Sequence, residues 1–222
     1  MVSIEEYFPF WKKLTKQQQD RLKNATHEVV YDVGTQIEGS ADHCIGLMLV
    51  IEGRLRVYTV SSEGKVLTLF RLFERELCLL TASCMLPGID FDVMVAVEDT
   101  TRVLHISADA YREVMRESAV VANYTNEVIS NCLSDVVWLL DQILNKKLDS
   151  RISAFLVEES QIQESLSLSI THEQIGNFLG SPREVVSRLL NYLQKAGYLS
   201  LGRGTVKILD IEALEKIADG SQ

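Results

Sequence analysis

Residues 171–190 read Thr-His-Glu-Gln-Ile-Gly-Asn-Phe-Leu-Gly-Ser-Pro-Arg-Glu-Val-Val-Ser-Arg-Leu-Leu. The pattern predicts a helix, a tight turn and a second helix. Thr171 is a good N-cap, and Gln174 three residues on completes a capping box. Ile175, Phe178 and Leu179 repeat at helical spacing. Gly176 lacks a Cβ and lets a crossing helix come close. Gly180 suits the left-handed residue that ends a helix. Ser181 is expected to cap the next helix, with Pro182 in its first turn and Glu184 closing a second capping box. Val185, Val186, Leu189, Leu190 and Leu193 then form its buried face. Arg183, Glu184, Ser187 and Arg188 are left on the other side, near the N-terminal end. That end of a recognition helix meets base edges in the major groove of DNA.

Two short β-prone runs follow, 198–201 and 205–209, around Gly202-Arg203-Gly204. They predict a hairpin directly after the second helix, which is the position of a wing. Arg203 at its tip and Lys207 on its return strand are candidate phosphate contacts, and Thr171 at the start of the first helix is a further candidate DNA-binding residue. Asp210 then caps an amphipathic helix from Ile211 to Ala218, with Ile211, Leu214 and Ile217 facing inward. The competing reading is an ordinary helical hairpin with a charged surface loop. The agreement of caps, turn glycine and basic face favours DNA.

The net charge of the 222 residues is −9, an unexpected sign for a DNA binder. Distribution decides the matter. Residues 171–209 hold five basic residues (Arg183, Arg188, Lys195, Arg203, Lys207) and two acidic ones (Glu173, Glu184), so this stretch is +3 and the rest −12. A basic face on an acidic body still neutralises phosphates, while the acidic remainder weakens indiscriminate binding. No stretch has the length of a membrane span, and the charged start does not resemble a signal peptide, so no membrane partner and a cytoplasmic location are expected. The cysteines (Cys44, Cys78, Cys84, Cys132) form no C-x-x-C pair, and His27, His43, His105 and His172 have no zinc-finger spacing, so no metal is expected.

Upstream, the first 25 or so residues read as helical. From Glu28 to Ile106, short β-branched runs alternate with spaced glycines, and Ser61 to Lys65 reads as a hairpin loop. That rhythm predicts an antiparallel β-roll of the jelly-roll type. A helix at 108–117 and a longer one over about 118–145 come next. In the longer helix Ile129, Cys132, Val136, Leu139 and Ile143 follow spacings of 3 and 4, a coiled-coil seam for a second copy. Val121, Val128, Leu133, Val137, Leu140 and Leu144 widen the apolar surface, so a helix fully buried in one chain fits the periodicity as well. Lys146 to Leu148 is the expected hinge, and Asp149 the expected cap of a helix running to about Ser160. The fold class is α+β, with a roll over 1–117, a dimerisation helix and hinge over 118–148, and a winged helix-turn-helix over 149–222.

This order resembles the Crp/Fnr family of bacterial transcription regulators over nearly the whole chain. Gly34-Thr-Gln-Ile37, Gly53 and Gly64 match the roll of that family. Ile170-Thr-His-Glu-Gln-Ile-Gly-Asn-Phe-Leu-Gly and then Arg-Glu-Val-Val-Ser-Arg match its DNA-binding signature, the more specific of the two. The resemblance implies a symmetric homodimer on a palindromic site, an effector held by roll and long helix, and RNA polymerase as a partner. Glu184, Ser187 and Arg188 match the E-x-x-S-R reading triplet of the Fnr branch, and Arg183 matches an arginine of the Crp branch. Arg188 is then expected to donate to guanine O6 and N7, Glu184 to accept from cytosine N4, and the half-sites to contain TGA.

The effector region departs from the cyclic-nucleotide pattern. Cyclic-nucleotide binders of the family present a Gly-Glu pair and then an Arg-Ser pair. Here the stretch reads Phe73-Glu-Arg75-Glu76-Leu77, with arginine in place of the glycine. No Arg-Ser follows, and Asp90 and Asp92 stand where a phosphate needs positive charge. Val136-Val137 occupy the helix positions that carry Thr-Ser in the cyclic-AMP receptor. Cyclic AMP is therefore not the expected ligand, and the cofactor is unidentified. The candidate pocket comprises Arg75, Glu76, Leu77, Cys78, Cys84, Val136 and Val137. Cys78 and Cys84 are a candidate redox pair if a loop brings them together; packed core thiols are the alternative. The N-terminal cysteine cluster of an iron–sulfur site is absent, and lone histidines give no haem-ligand spacing. No nucleophile motif, ligand cluster or phosphate loop points to an enzyme. The alternative to a DNA-binding regulator is a sensor module, responding to cysteine redox or a small molecule and acting through protein partners.

Overall fold

The computed structural model describes residues 3–39, 46–81 and 93–220. Two short 3-10 turns, Ile4–Glu6 and Trp11–Lys13, precede α1 (Lys16–Asn24), which opens on a capping box between Thr15 and Gln18. Among the described residues eight strands follow: β1 (Thr26–Tyr31), β2 (Gln36–Gly39), β3 (Leu47–Glu52), β4 (Leu55–Val60), β5 (Val66–Leu72), β6 (Leu77–Cys78), β7 (Val93–Val97) and β8 (Thr101–Ile106). They form two four-stranded sheets, ordered β1-β8-β3-β6 and β2-β7-β4-β5, with antiparallel pairing such as Leu49↔Leu104 and Val57↔Val95. This is the expected roll.

The run Leu47-Met-Leu-Val-Ile51 shows why the strands sit where they do. It is apolar throughout because its sheet is covered on both faces. Met48 and Val50 point between the sheets, joining Ile37, Val57, Val95, Val103 and Cys78. Leu47, Leu49 and Ile51 point the other way, towards Phe8, Phe10, Trp11 and Leu22 of the N-terminal segment. Leu77 and Cys78 divide between the same two cores by strand alternation. Helix α2 (Ala108–Glu117) covers the outer core with Tyr111 and Val114. Its Tyr111 hydroxyl lies 3.0 Å from Thr125 Oγ1, which itself donates back to Val121 O at 2.8 Å. Burial pushes the Tyr111 phenol well above its ordinary value.

Thr125 lies in α3 (Ala119–Asn145), 27 residues long. Helix α4 (Leu148–Ile162) follows after two residues. Asp149 is not its cap. Lys147 occupies that position without a side-chain bond, and Asp149 sits inside the first turn, accepting from its neighbour Ser150 N at 2.8 Å. Then come β9 (Ser167–Leu168), α5 (His172–Leu179), α6 (Arg183–Lys195), β10 (Leu199–Gly202), β11 (Thr205–Ile208) and α7 (Ile211–Asp219). The wing is a three-stranded sheet ordered β10-β11-β9, one strand more than its hairpin signal predicts. Ile152, Phe155, Leu156, Ile175, Val186, Leu190, Leu193, Val206 and Leu214 form its core with α4 to α7. The chain divides into two compact units, residues 1–60 with 69–136, and 61–68 with 137–222.

Candidate nucleic-acid interface

The site is built on the turn between α5 and α6. Thr171 Oγ1 accepts from Gln174 N at 3.2 Å, and Gln174 Oε1 accepts from Thr171 N at 2.8 Å. Two of the orphan donors at the start of α5 are thereby satisfied. Gly180 ends the helix at φ +65°, where a β-carbon is disfavoured. Gly176 is needed for proximity. A Cβ there would lie 2.6 Å from the carbonyl oxygen of Ser181 and 3.6 Å from Arg183 N, so both the turn and the start of the second helix come close. The same turn displaces the second cap. Ser181 N donates to Gly176 O at 2.9 Å, α6 starts at Arg183, and Pro182 is the cap residue without a side-chain bond. Ser181 therefore lies one residue outside the helix, and Glu184 falls one position too early for a capping box.

Helix α6 buries Val186, Leu190 and Leu193 and presents Arg183, Glu184 and Arg188 to solvent, with Ser187 half-buried between them. Among the described residues these three charged side chains make no ion pair and no side-chain hydrogen bond with protein. Their donors and acceptors remain available to a ligand. Asn191 extends the row one turn further, donating to Ser187 O at 2.7 Å. His172, on the first turn of α5, feels Arg183: burial and then this positive neighbour lower its imidazole pKa.

The wing turns at Arg203-Gly204, since Gly202 pairs with Thr205. Arg203 is exposed at the tip. A Cβ on Gly204 would lie 4.0 Å from Thr171 Cγ2, so wing tip and the start of α5 adjoin. Lys207 lies on the middle strand, flanked in register by Ser200 and Ser167, and is exposed. Thr171 and the wing tip thus adjoin, and Arg183 of α6 lies within electrostatic reach of His172 beside them, while Lys207 sits three residues beyond Gly204.

The expected effector residues do not gather in this way. Arg75 occupies an exposed turn at φ +72°, its guanidinium 5.4 Å from the Tyr7 ring centroid. Glu76 folds back on that turn, accepting from Phe73 N at 2.8 Å. Leu77 and Cys78 are buried on opposite faces of their strand, so they cannot line one pocket together. Burial pushes the Cys78 thiol pKa up. Cys132 of α3 packs against the same inter-sheet core, and burial, helped by Cys78 and Asp135, pushes its thiol to about 11. Protonated thiols are poor nucleophiles. Cys84, with Cys44, His43, Asp90 and Asp92, lies outside the described residues. Val136 is half-buried and Val137 exposed. A cleft of about 430 Å³ in the roll is lined by other groups, among them Asn24, His27, His105 and Asp109. His105 Nε2 is already 2.9 Å from the Tyr31 hydroxyl.

The seam residues of α3 differ in exposure. Ile129 and Cys132 are half-buried, each packed in part against a core of its own chain. The exposed stripe is the neighbouring one: Leu133 (61% exposed), Val137, Leu140 and Leu144 (77%), with Trp138 beside it. Val136 and Leu139 are half-buried between the two faces, and Ile143 is exposed. Trp138 falls outside both heptad stripes, so helical spacing does not single it out.

A basic helix-turn-helix with a wing, preceded by a β-roll and a long helix, defines a DNA-binding regulator. Comparison agrees. Residues 150–217 match the Crp-like helix-turn-helix domain. A solved structure of a Crp/Fnr-family regulator from Eubacterium rectale superposes with a TM-score of 0.94 at 43% identity, covering 97% of this chain and 100% of that one. The cyclic AMP receptor protein of Thermus thermophilus is 27% identical over 212 residues, 96% of this chain and 97% of its own. The anaerobic regulatory protein of Pasteurella multocida is 24% identical, over 92% of this chain and 77% of that one. The chain belongs to the Crp/Fnr family: it is a transcription regulator with a DNA-binding helix-turn-helix, and its relatives are not enzymes.

Proposed function

We propose that the protein acts as a homodimer on a palindromic DNA site with TGA-containing half-sites, under control of an effector received by the roll. The observation that carries this reading is the uncommitted row Arg183, Glu184 and Arg188 on the solvent face of α6. Arg188 reads guanine O6 and N7 with two parallel donors, and Glu184 accepts from cytosine N4 on the complementary strand. Ser187 packs between them, and Arg183 contacts phosphate or a neighbouring base. Thr171, Arg203 and Lys207 fix register through the phosphates.

Dimerisation uses Leu133, Val137, Leu140, Ile143 and Leu144 with Trp138. Six large apolar side chains on one exposed helix are otherwise costly in water. Two copies paired along this stripe present two recognition helices to successive major grooves, with half-site centres roughly 34–36 Å apart. RNA polymerase is the further partner and the cytoplasm the place of action, both by family likeness. The effector is not cyclic AMP: Arg75 stands in place of the glycine of the nucleotide cradle, and Glu76 is engaged by its own turn.

Selection of bound duplexes from a random pool tests the reading. Recovery of an inverted repeat carrying TGA in each arm is expected. Enrichment of no sequence at low salt would overturn it.

A further inference from the structure

The first turns of α4 hold the end of α5 at two points. Arg151 Nη2 donates to Leu179 O at 2.8 Å. One helical turn on, the Phe155 ring lies 4.7 Å from the Phe178 ring, centroid to centroid. Residues 151 and 155 share one face of α4, since positions four apart stack on a helix. Leu179 O is among the last carbonyls of α5 and has no partner within the helix; Gly176 O, by contrast, takes both Gly180 N and Ser181 N. Arg151 thus supplies the donor that the helix end lacks, and its positive charge complements the negative end of the helix dipole. The guanidinium is half withdrawn from water, enough that burial lowers its pKa. The bonded carbonyl belongs to the residue before Gly180, and the turn from Gly180 to Pro182 sets where α6 begins.

We infer that Arg151 is a positioning residue for base recognition: it ties the first turn after the hinge to the helix-turn-helix, and so fixes the angle at which α6 enters the groove. This inference rests on the reading of α6 as a sequence-specific reader. Arg151 touches no DNA in this role. It acts through Leu179, the turn and the Ser181 carbonyl packed against Gly176. Any change in the setting of α4 at Lys146–Lys147 reaches the reading face through this bond and through the Phe155–Phe178 contact.

Sequence preference separates this role from plain structural support. Phosphate contacts tolerate small misalignment, whereas paired donors on a base edge do not. The test compares the full-length wild type with R151M and R151K, on the selected duplex and on a random duplex of equal length. Methionine keeps the stem without the donor, and lysine keeps the charge without the planar fork. R151M should bind the selected duplex at least about fivefold more weakly while its random-duplex affinity stays within about twofold, since specific binding stands on top of a largely electrostatic background. R151K should fall between R151M and wild type. If R151M does not fold, R151K alone must show the selective loss. Unchanged preference in both variants would overturn the inference, as would equal loss on both duplexes alongside a lowered melting temperature. A wild type with no preferred duplex would instead sink the regulator reading on which the inference rests.

Discussion

Arg188 and Lys207 are both exposed cations, but they are assigned different work. A bidentate contact to guanine reads sequence, whereas an ammonium beside phosphate only adds affinity. Arg188→Ala should therefore cost about 1–3 kcal/mol on the preferred site and relax selection at one guanine, while Lys207→Ala should weaken all duplexes alike and lower the salt slope by about one. Competition binding against single-base variants across a salt series measures both. His172 gives a prediction in pH. Its folded pKa lies below the ordinary 6.5, so the unfolded chain takes up a proton first as pH falls. Stability from this group is present above the unfolded pKa and is lost as pH drops through it towards the folded one. Melting temperature should decline less steeply below pH 6.5 in His172→Gln than in wild type; parallel curves would show the histidine to be uncoupled from folding.

Helix ends and helix faces differ in how far composition reveals them. Thr171 and Gln174 are legible as a cap because the bonds are local, three residues apart. Gly180 is legible because a left-handed position favours glycine. Ser181 misleads, since Ser-Pro-Arg-Glu spells a cap while the bond from Ser181 N to Gly176 O draws that residue into the turn. The two-residue β9 is too short to carry a period. In α3 both stripes are apolar, so spacing alone does not say which faces the roll; tertiary packing of Ile129 and Cys132 decides it. The effector residues read as one cluster in sequence and part company because neighbours on a strand face opposite ways. At the turn, Gly176→Ala sets a gain in helix propensity of about 0.5–1 kcal/mol against a backbone clash of the kind that costs about 1–3 kcal/mol. With the contact at 2.6 Å and backbone on the other side, the clash wins. Urea denaturation should show net destabilisation, and a stabilised variant would mean that the turn yields freely.

At the scale of the whole molecule, the proposed dimer joins an apolar helix stripe to a pair of reading heads. Leu140 is half exposed on the second half of α3, at the centre of the stripe. Leu140→Glu should convert a dimer into a monomer at micromolar concentration in sedimentation and reduce affinity for the palindrome far more than for a single arm. A wild type that sediments as a monomer would remove the pairing. The roll and the winged unit each have a core of their own, so the variant should stay folded and its far-ultraviolet dichroism should be unchanged. The most direct measurement is a hydroxyl-radical footprint of the purified protein on its selected duplex. Two symmetric protected patches, centred about one helical turn apart on one face of the DNA, are the expected result. A single patch, or protection spread evenly without regard to sequence, would contradict it.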